Sequence, residues 1–160
     1  MDNTFRSDLV RGKSVEEEIC RLIKAKYPSA YVVVDGYVEG EYEEKGYDIV
    51  VPEKPATVEV KYDGASNNTV FFFIETESNG KPSGLNTTKA TWWVQVNDEN
   101  IIWIRTESLR YQIKDEWKLR ELLFDEVNPP KRGYLIPKLR MLYSPYAVWG
   151  ERKSCPICPF

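Results

Sequence analysis

The sequence predicts an α+β domain, with a mixed central β-sheet flanked by helices. Three observations lead there. Short runs rich in Val, Ile, Phe, Tyr and Trp recur between residues 31 and 105, separated by Gly, Pro, Asn and Asp. A capped amphipathic stretch precedes them, and further helical stretches follow. The 160 residues, 42% hydrophobic and 13% aromatic, suit a single folded domain over 1–160 rather than a disordered chain.

The first element follows from its ends. Ser14 with Glu17 three positions on makes a capping box, so a helix is expected from Val15 to about Lys26, stopping near Tyr27-Pro28. Val15, Ile19, Leu22 and Ile23 form its apolar stripe, with Cys20 alongside. Glu16 borders that stripe, where a carboxylate costs desolvation unless it meets a cation. Glu17 shares a face with Arg21 and Lys24 and reads as solvated.

Residues Tyr31 to Val38 are the expected first strand, with Asp35-Gly36 a bulge or turn and an acidic loop from Glu39 to Lys45. Tyr47–Val51 and Thr57–Lys61 then form a hairpin about Pro52–Pro55. Val70–Ile74, apolar on both faces, is expected to be a central covered strand ended by Glu75. Leu85–Ala90 is a helical turn, and Trp92–Val96 and Ile101–Arg105 are strands joined at Asn97–Asn100. Thr106 caps a short helix to about Ile113. Asp115–Val127 makes another, stopped by Pro129-Pro130, and Tyr134–Ile136 is a last edge strand.

The central hairpin carries the chemistry. Its four-residue loop sets the register: 51 faces 56, 50 faces 57, 49 faces 58 and 48 faces 59. Asp48 then lies across from Glu59, with Cβ atoms roughly 5 Å apart, an arrangement that is unfavourable unless something positive lies between. Period-two alternation puts Lys61 on the face of Glu59, with Val58 and Val60 on the other. Two carboxylates and one ammonium on one patch suit a divalent cation and a phosphate.

Composition narrows the chemistry. The chain has no histidine, which removes histidine-based nucleases, Ser-His-Asp and Cys-His hydrolases and histidine-rich zinc sites. A hydrolytic metal would rest on carboxylates and carbonyls, which favours Mg²⁺ or Mn²⁺. Of three cysteines, Cys20 reads as core, while Cys155 and Cys158 form a single CxxC in a tail expected to be frayed with free thiols. No apolar run approaches the ~20 residues of a membrane span and no signal peptide opens the chain, so an intracellular, cytoplasmic protein is expected. The overall charge of −3 hides an asymmetry: residues 127–160 hold six basic residues and one acid, and residues 1–126 have a net charge of −8. Lys131, Arg132, Lys138 and Arg140 in that basic segment are candidates to grip a nucleic-acid backbone.

A helix bearing a glutamate, then a strand, then Asp48 and Glu59-Val60-Lys61 across a hairpin, then another strand, resembles the PD-(D/E)xK nuclease superfamily. Gly12-Lys-Ser-Val-Glu16 and Glu75-x₇-Ser-Gly-Leu85 with Lys89 add to the likeness, which is greatest to small phage-type nucleases and Holliday-junction resolvases. Tyr47 stands where the family name has proline. The resemblance covers about residues 10–105. It implies a restriction-endonuclease-like fold with an αβββαβ core and a metal-dependent DNA endonuclease, resolvase-like or of the nicking, repair or restriction type. In those roles Asp48, Glu59 and the Val60 carbonyl would hold Mg²⁺ (or Mn²⁺), Glu16 would act through water or a second metal, and Lys61 would serve the attacking water and the phosphate. Glu75 and Lys89 are second-rank members. DNA is the implied partner, and paired cutting of a branched substrate implies a homodimer, for which the sequence marks no surface. A nuclease-like fold used only for binding or assembly is the alternative.

Overall fold

The computed structural model describes residues 3–34, 37, 38, 41, 42, 46–154 and 158–160. Its architecture is α+β and mixed, as expected, but among the described residues it holds a six-stranded sheet, a four-stranded sheet and a two-stranded ribbon rather than one sheet.

Helix α1 spans Asn3–Lys24. It begins well before Ser14, so that residue is an exposed mid-helix serine and the expected capping box does not form. The stripe is as read: Val15, Ile19, Cys20 and Ile23 are buried. The strands β1 (Tyr31–Val32), β2 (Tyr37–Val38), β3 (Glu41–Tyr42), β4 (Ile49–Val51) and β5 (Ala56–Tyr62) follow. The expected single strand over 31–38 is therefore two: β1 pairs with β4, whereas β2 pairs with β3 in a separate ribbon. Asp35-Gly36 lies outside the described residues.

After β5 come β6 (Phe71–Ser78), β7 (Lys81–Pro82), β8 (Trp92–Val96) and β9 (Asn100–Arg105). Helix α2 (Thr106–Tyr111) runs into a wide π-helical turn at Gln112–Glu116. Then follow β10 (Leu122–Phe124), β11 (Lys131–Pro137), helix α3 (Lys138–Leu142) and β12 (Ala147–Glu151). Residues 115–127 are not the expected helix. Lys118 takes a positive φ of 51°, which turns the chain, and Leu122–Phe124 pairs with β11 instead. Trp117 and Leu119, which made the stretch look helical, pack on the core from either side of that turn.

The main sheet runs β1-β4-β5-β8-β9-β12 and is antiparallel except between β5 and β8. Parallel neighbours need a crossover. Where the αβββαβ pattern expects a helix, this crossover is two 3₁₀ turns (Gly64–Asn68 and Gly84–Asn86) and the β6–β7 hairpin. That hairpin belongs to a second sheet, ordered β10-β11-β6-β7. Val70–Ile74 thus contributes to an inner strand of the second sheet rather than the main one, and the strand runs past Glu75 to Ser78. Tyr134–Ile136, expected as a last edge strand, belongs to β11, which is likewise inner, and the strand that follows it, β12, is the edge of the main sheet.

Both faces of the main sheet are covered. On one, α1 packs Val15, Ile19 and Ile23 over Ile49, Val58, Val60, Val94, Val96 and Trp103. On the other, Trp93, Ile102 and Ile104 meet Phe72, Ile74, Leu109, Ile113, Ile136 and Met141. The strictly alternating burial of β8 and β9 across two faces explains why their sequences read as continuous apolar runs. The tail is not frayed at its end: Cys158 is buried in the first core, and Phe160 stacks on Trp92 at 5.0 Å between centroids. Cys155 lies outside the described residues. None of the described helices is long and apolar enough to cross a membrane.

The two layers are joined by a buried carboxylate. Asp63 accepts from the backbone N–H of Phe73 at 2.7 Å and of Ser66 at 3.2 Å, and from Gln95 Nε2 at 3.1 Å. Gln95 in turn accepts from the Trp93 indole at 2.9 Å.

Candidate active site

The register of the central hairpin is the one its loop dictates: Val51↔Ala56, Val50↔Thr57 and Ile49↔Val58. The fourth expected pair, Asp48 opposite Glu59, does not form, and the ladder gives way there. The Asp48 N–H donates to the Val58 carbonyl at 2.8 Å, and the Asp48 carboxylate Oδ2 accepts from the Val60 N–H at 2.8 Å. A side chain has replaced a backbone acceptor at the point where β4 leaves β5. Within a strand the N–H and C=O of one residue point to the same edge. The Val60 carbonyl therefore also faces the Asp48 side, past the last ladder pair.

Glu59 and Lys61 share the face opposite Val58 and Val60, as alternation requires. Glu59 is only 8% exposed. Its Oε1 pairs with Lys61 Nζ at 3.0 Å, and its Oε2 accepts from Thr88 Oγ1 at 3.2 Å. Thr88 is a buried site residue that the sequence reading missed. Only its place beside Lys89 hinted at it. The loop that carries it is pinned by Arg110, whose guanidinium donates to the carbonyls of Leu85 (2.8 Å) and Thr88 (3.1 Å). Lys89 N–H donates to the Gly46 carbonyl at 2.8 Å, two residues before Asp48. Gly46 sits at φ 77°, and the Lys89 side chain lies against the space its missing Cβ would take.

Charge at this patch is unevenly balanced. Burial, then the carboxylates of Glu59 and Glu16, push the Asp48 carboxyl up from its ordinary 3.8 to about 7, against the Val60 N–H and Lys61. Glu16, half-buried on α1, is thus felt at Asp48. Burial works against the Lys61 ammonium, yet Glu59 beside it, then Asp48 and Glu75, carry its pKa above the ordinary lysine value. Lys61 is a cation at neutral pH.

Glu75, on β6, borders the same patch. It pairs with Lys131 and accepts from Ser83 Oγ at 2.8 Å. Gly84, at φ 51°, brings the loop so close that a Cβ there would stand 2.2 Å from the Glu75 carbonyl oxygen. A Gly84→Ala substitution is expected to lower the melting temperature by roughly 10 °C, because strained φ and a backbone clash each cost on the order of 1–3 kcal/mol. Thermal denaturation checks it.

The four basic candidates do not form one patch. Lys131 and Arg132 open β11, and Lys138 and Arg140 lie past its other end, about 20 Å away at 3.3 Å per residue. Lys131 is held by Glu75 and Arg132 by Glu77 at 3.5 Å. Lys138 lies over the Phe72 ring and Arg140 over Trp117.

Among the described residues, no three acidic or cysteine side chains are gathered closely enough to hold a metal ion. The donors nonetheless suit a hard divalent cation in kind. They are two carboxylates and a strand carbonyl directed to one side, with an excess of negative charge that one proton on Asp48 partly relieves. Compared with known proteins, the chain matches no family model, no curated sequence and no solved structure.

Proposed function

We propose that this chain is a metal-dependent DNA endonuclease of restriction-endonuclease-like fold that hydrolyses phosphodiester bonds, acting on branched DNA in the manner of a resolvase. The observation that carries the reading is the clustering of Asp48, Glu59 and Lys61 at the point where β4 and β5 part, with the Glu16 charge felt at Asp48. The run α1, β1, β4, β5 and then β8 parallel to β5 supports the αβββαβ comparison, with a β-hairpin standing in for the second helix.

Asp48, Glu59 and the Val60 carbonyl would hold Mg²⁺ or Mn²⁺, with Glu16 behind them. When bound, such an ion supplies Lewis acidity at the phosphate and an acidified water. The chain's own groups do the rest. Lys61, kept protonated by its neighbours, donates hydrogen bonds to the attacking water and to a phosphate oxygen. It is not the base in this arrangement. Thr88 fixes one Glu59 oxygen, so the other is free to turn from Lys61 when a phosphate takes up the ammonium.

Plasmid and four-way DNA with Mg²⁺ or Mn²⁺ test this. Lys61→Ala is expected to slow cleavage by at least ~10²-fold. Full cleavage by both Lys61→Ala and Asp48→Ala overturns the reading. Neutralising Lys131, Arg132, Lys138 and Arg140 together is expected to flatten the salt dependence of DNA binding, by about 0.9 in log–log slope for each that meets a phosphate. The ion pairs of Lys131 and Arg132 predict that Lys138 and Arg140 account for most of it.

A second reading, a binding module without catalysis, is favoured by one observation: Glu59 is already engaged by Lys61 and Thr88. Calorimetric titration with Mg²⁺ separates the two. Heat that disappears in Asp48→Ala supports the enzyme, and no heat in the unsubstituted protein supports the module.

A further inference from the structure

The main sheet ends at β12, whose register with β9 runs without a shift from Ala147↔Ile104 to Glu151↔Asn100. Natural sheets guard such an edge with lysine, proline, a bulge or a covering loop. Within β12 there is no lysine, proline or bulge, its one charge is Glu151 at the end, and Tyr143 to Gly150 carries none. Large apolar side chains are exposed along it: Val148 and Trp149 at 46% each, Tyr146 at 45%, and on the adjoining α3 Leu139 at 66% and Tyr143 at 81%. Apolar exposure of this extent on one edge marks an interaction surface.

We propose that β12 pairs antiparallel with β12 of a second copy of this chain, joining two six-stranded sheets into one across a two-fold axis. The backbone decides the class of partner. A helix or a flat apolar surface would cover the side chains but leave the outer N–H and C=O groups of β12 unanswered, and only a strand answers them. Charge decides which strand. Antiparallel self-pairing carries each Glu151 to the Ala147 end of the other strand. The chain enters β12 at Ala147 from α3, which packs against β12 and carries the exposed Arg140 that leans over Trp117. Two Glu151–Arg140 encounters per dimer follow from the symmetry.

Sedimentation equilibrium of the full chain without DNA or metal tests this, so its result is independent of the nuclease reading. The unsubstituted protein is expected at twice the 18.6 kDa chain mass. Val148→Lys, which puts a guarding charge on the edge, is expected at the single-chain mass with an unchanged far-UV CD spectrum. Glu151→Arg is expected to weaken the dimer about tenfold, and adding Arg140→Glu to restore it. A single-chain mass for the unsubstituted protein at every concentration overturns the proposal. So does a dimer that persists undiminished in both Val148→Lys and Glu151→Arg.

Discussion

Asp48→Asn is expected to abolish DNA cleavage and at the same time to stabilise the metal-free protein above neutral pH. Loss of a carboxylate ligand removes several kcal/mol of charge stabilisation, which is roughly 10³-fold in rate. The stability change has the opposite sign, and its direction follows from linkage. The Asp48 carboxyl titrates near 7 in the folded protein and near 3.8 when exposed. Between those values the folded state binds a proton that the unfolded state does not, so stability falls as pH rises. Below about pH 4 the group has no effect, and above about pH 7 the full penalty is present, at most about 4 kcal/mol. Asparagine keeps an acceptor for the Val60 N–H and carries no charge, so it escapes that penalty. Urea unfolding in EDTA at pH 5 and pH 8.5 measures the difference between the two proteins, which is expected to widen with pH. Added Mg²⁺ is expected to stabilise the unsubstituted protein more at pH 8.5 than at pH 6, and to leave Asp48→Asn unmoved. At a hundredfold excess over Kd the gain is about 2.7 kcal/mol. Equal stability of the two proteins at pH 8.5 would remove the idea that Asp48 is held charged at a cost.

Much of the site was legible because it lies within one hairpin. A four-residue loop fixes register, register fixes faces, and the faces bring Glu59 and Lys61 together and oppose them to Val58 and Val60. The strands β8 and β9 were legible for a related reason, since apolar runs between clear turns leave little choice. What was not legible depends on distant partners. Thr88 reaches Glu59 across 29 residues, and nothing local in Thr87-Thr88-Lys89 announces it. The segment 115–127 has helical spacing, yet a positive φ at Lys118 and pairing with β11 override it. Glu75 and Lys131 meet only because β6 and β11 are neighbours in a second sheet that no periodicity marks off from the first. Ser14 shows the converse: a capping box is a signal only where a helix in fact begins.

That second sheet must stay seated on the first for Glu75, and Lys131 paired with it, to border the Glu59–Lys61 pair, and Asp63 is the joint. Its carboxylate is buried and still accepts three hydrogen bonds, one from the β6 backbone itself. Burial outweighs those bonds and raises its pKa, so the group is retained for what it holds rather than for its own ease. Asp63→Ala leaves the Phe73 N–H without its acceptor and the Gln95 amide with only the Phe73 carbonyl, at 3.3 Å, beside a void in the interior. Buried donors left without acceptors cost about 1–3 kcal/mol each. A loss on the order of 4 kcal/mol is expected, against 5–15 kcal/mol for a whole domain. Thermal denaturation should then show a midpoint lower by roughly 10 °C. Hydrogen exchange discriminates the cause: the amides of Phe71–Ser78 are expected to lose protection before those of β8 and β9. If protection falls uniformly across both sheets, Asp63 serves the fold at large, and the seating of the second layer on the first has some other origin.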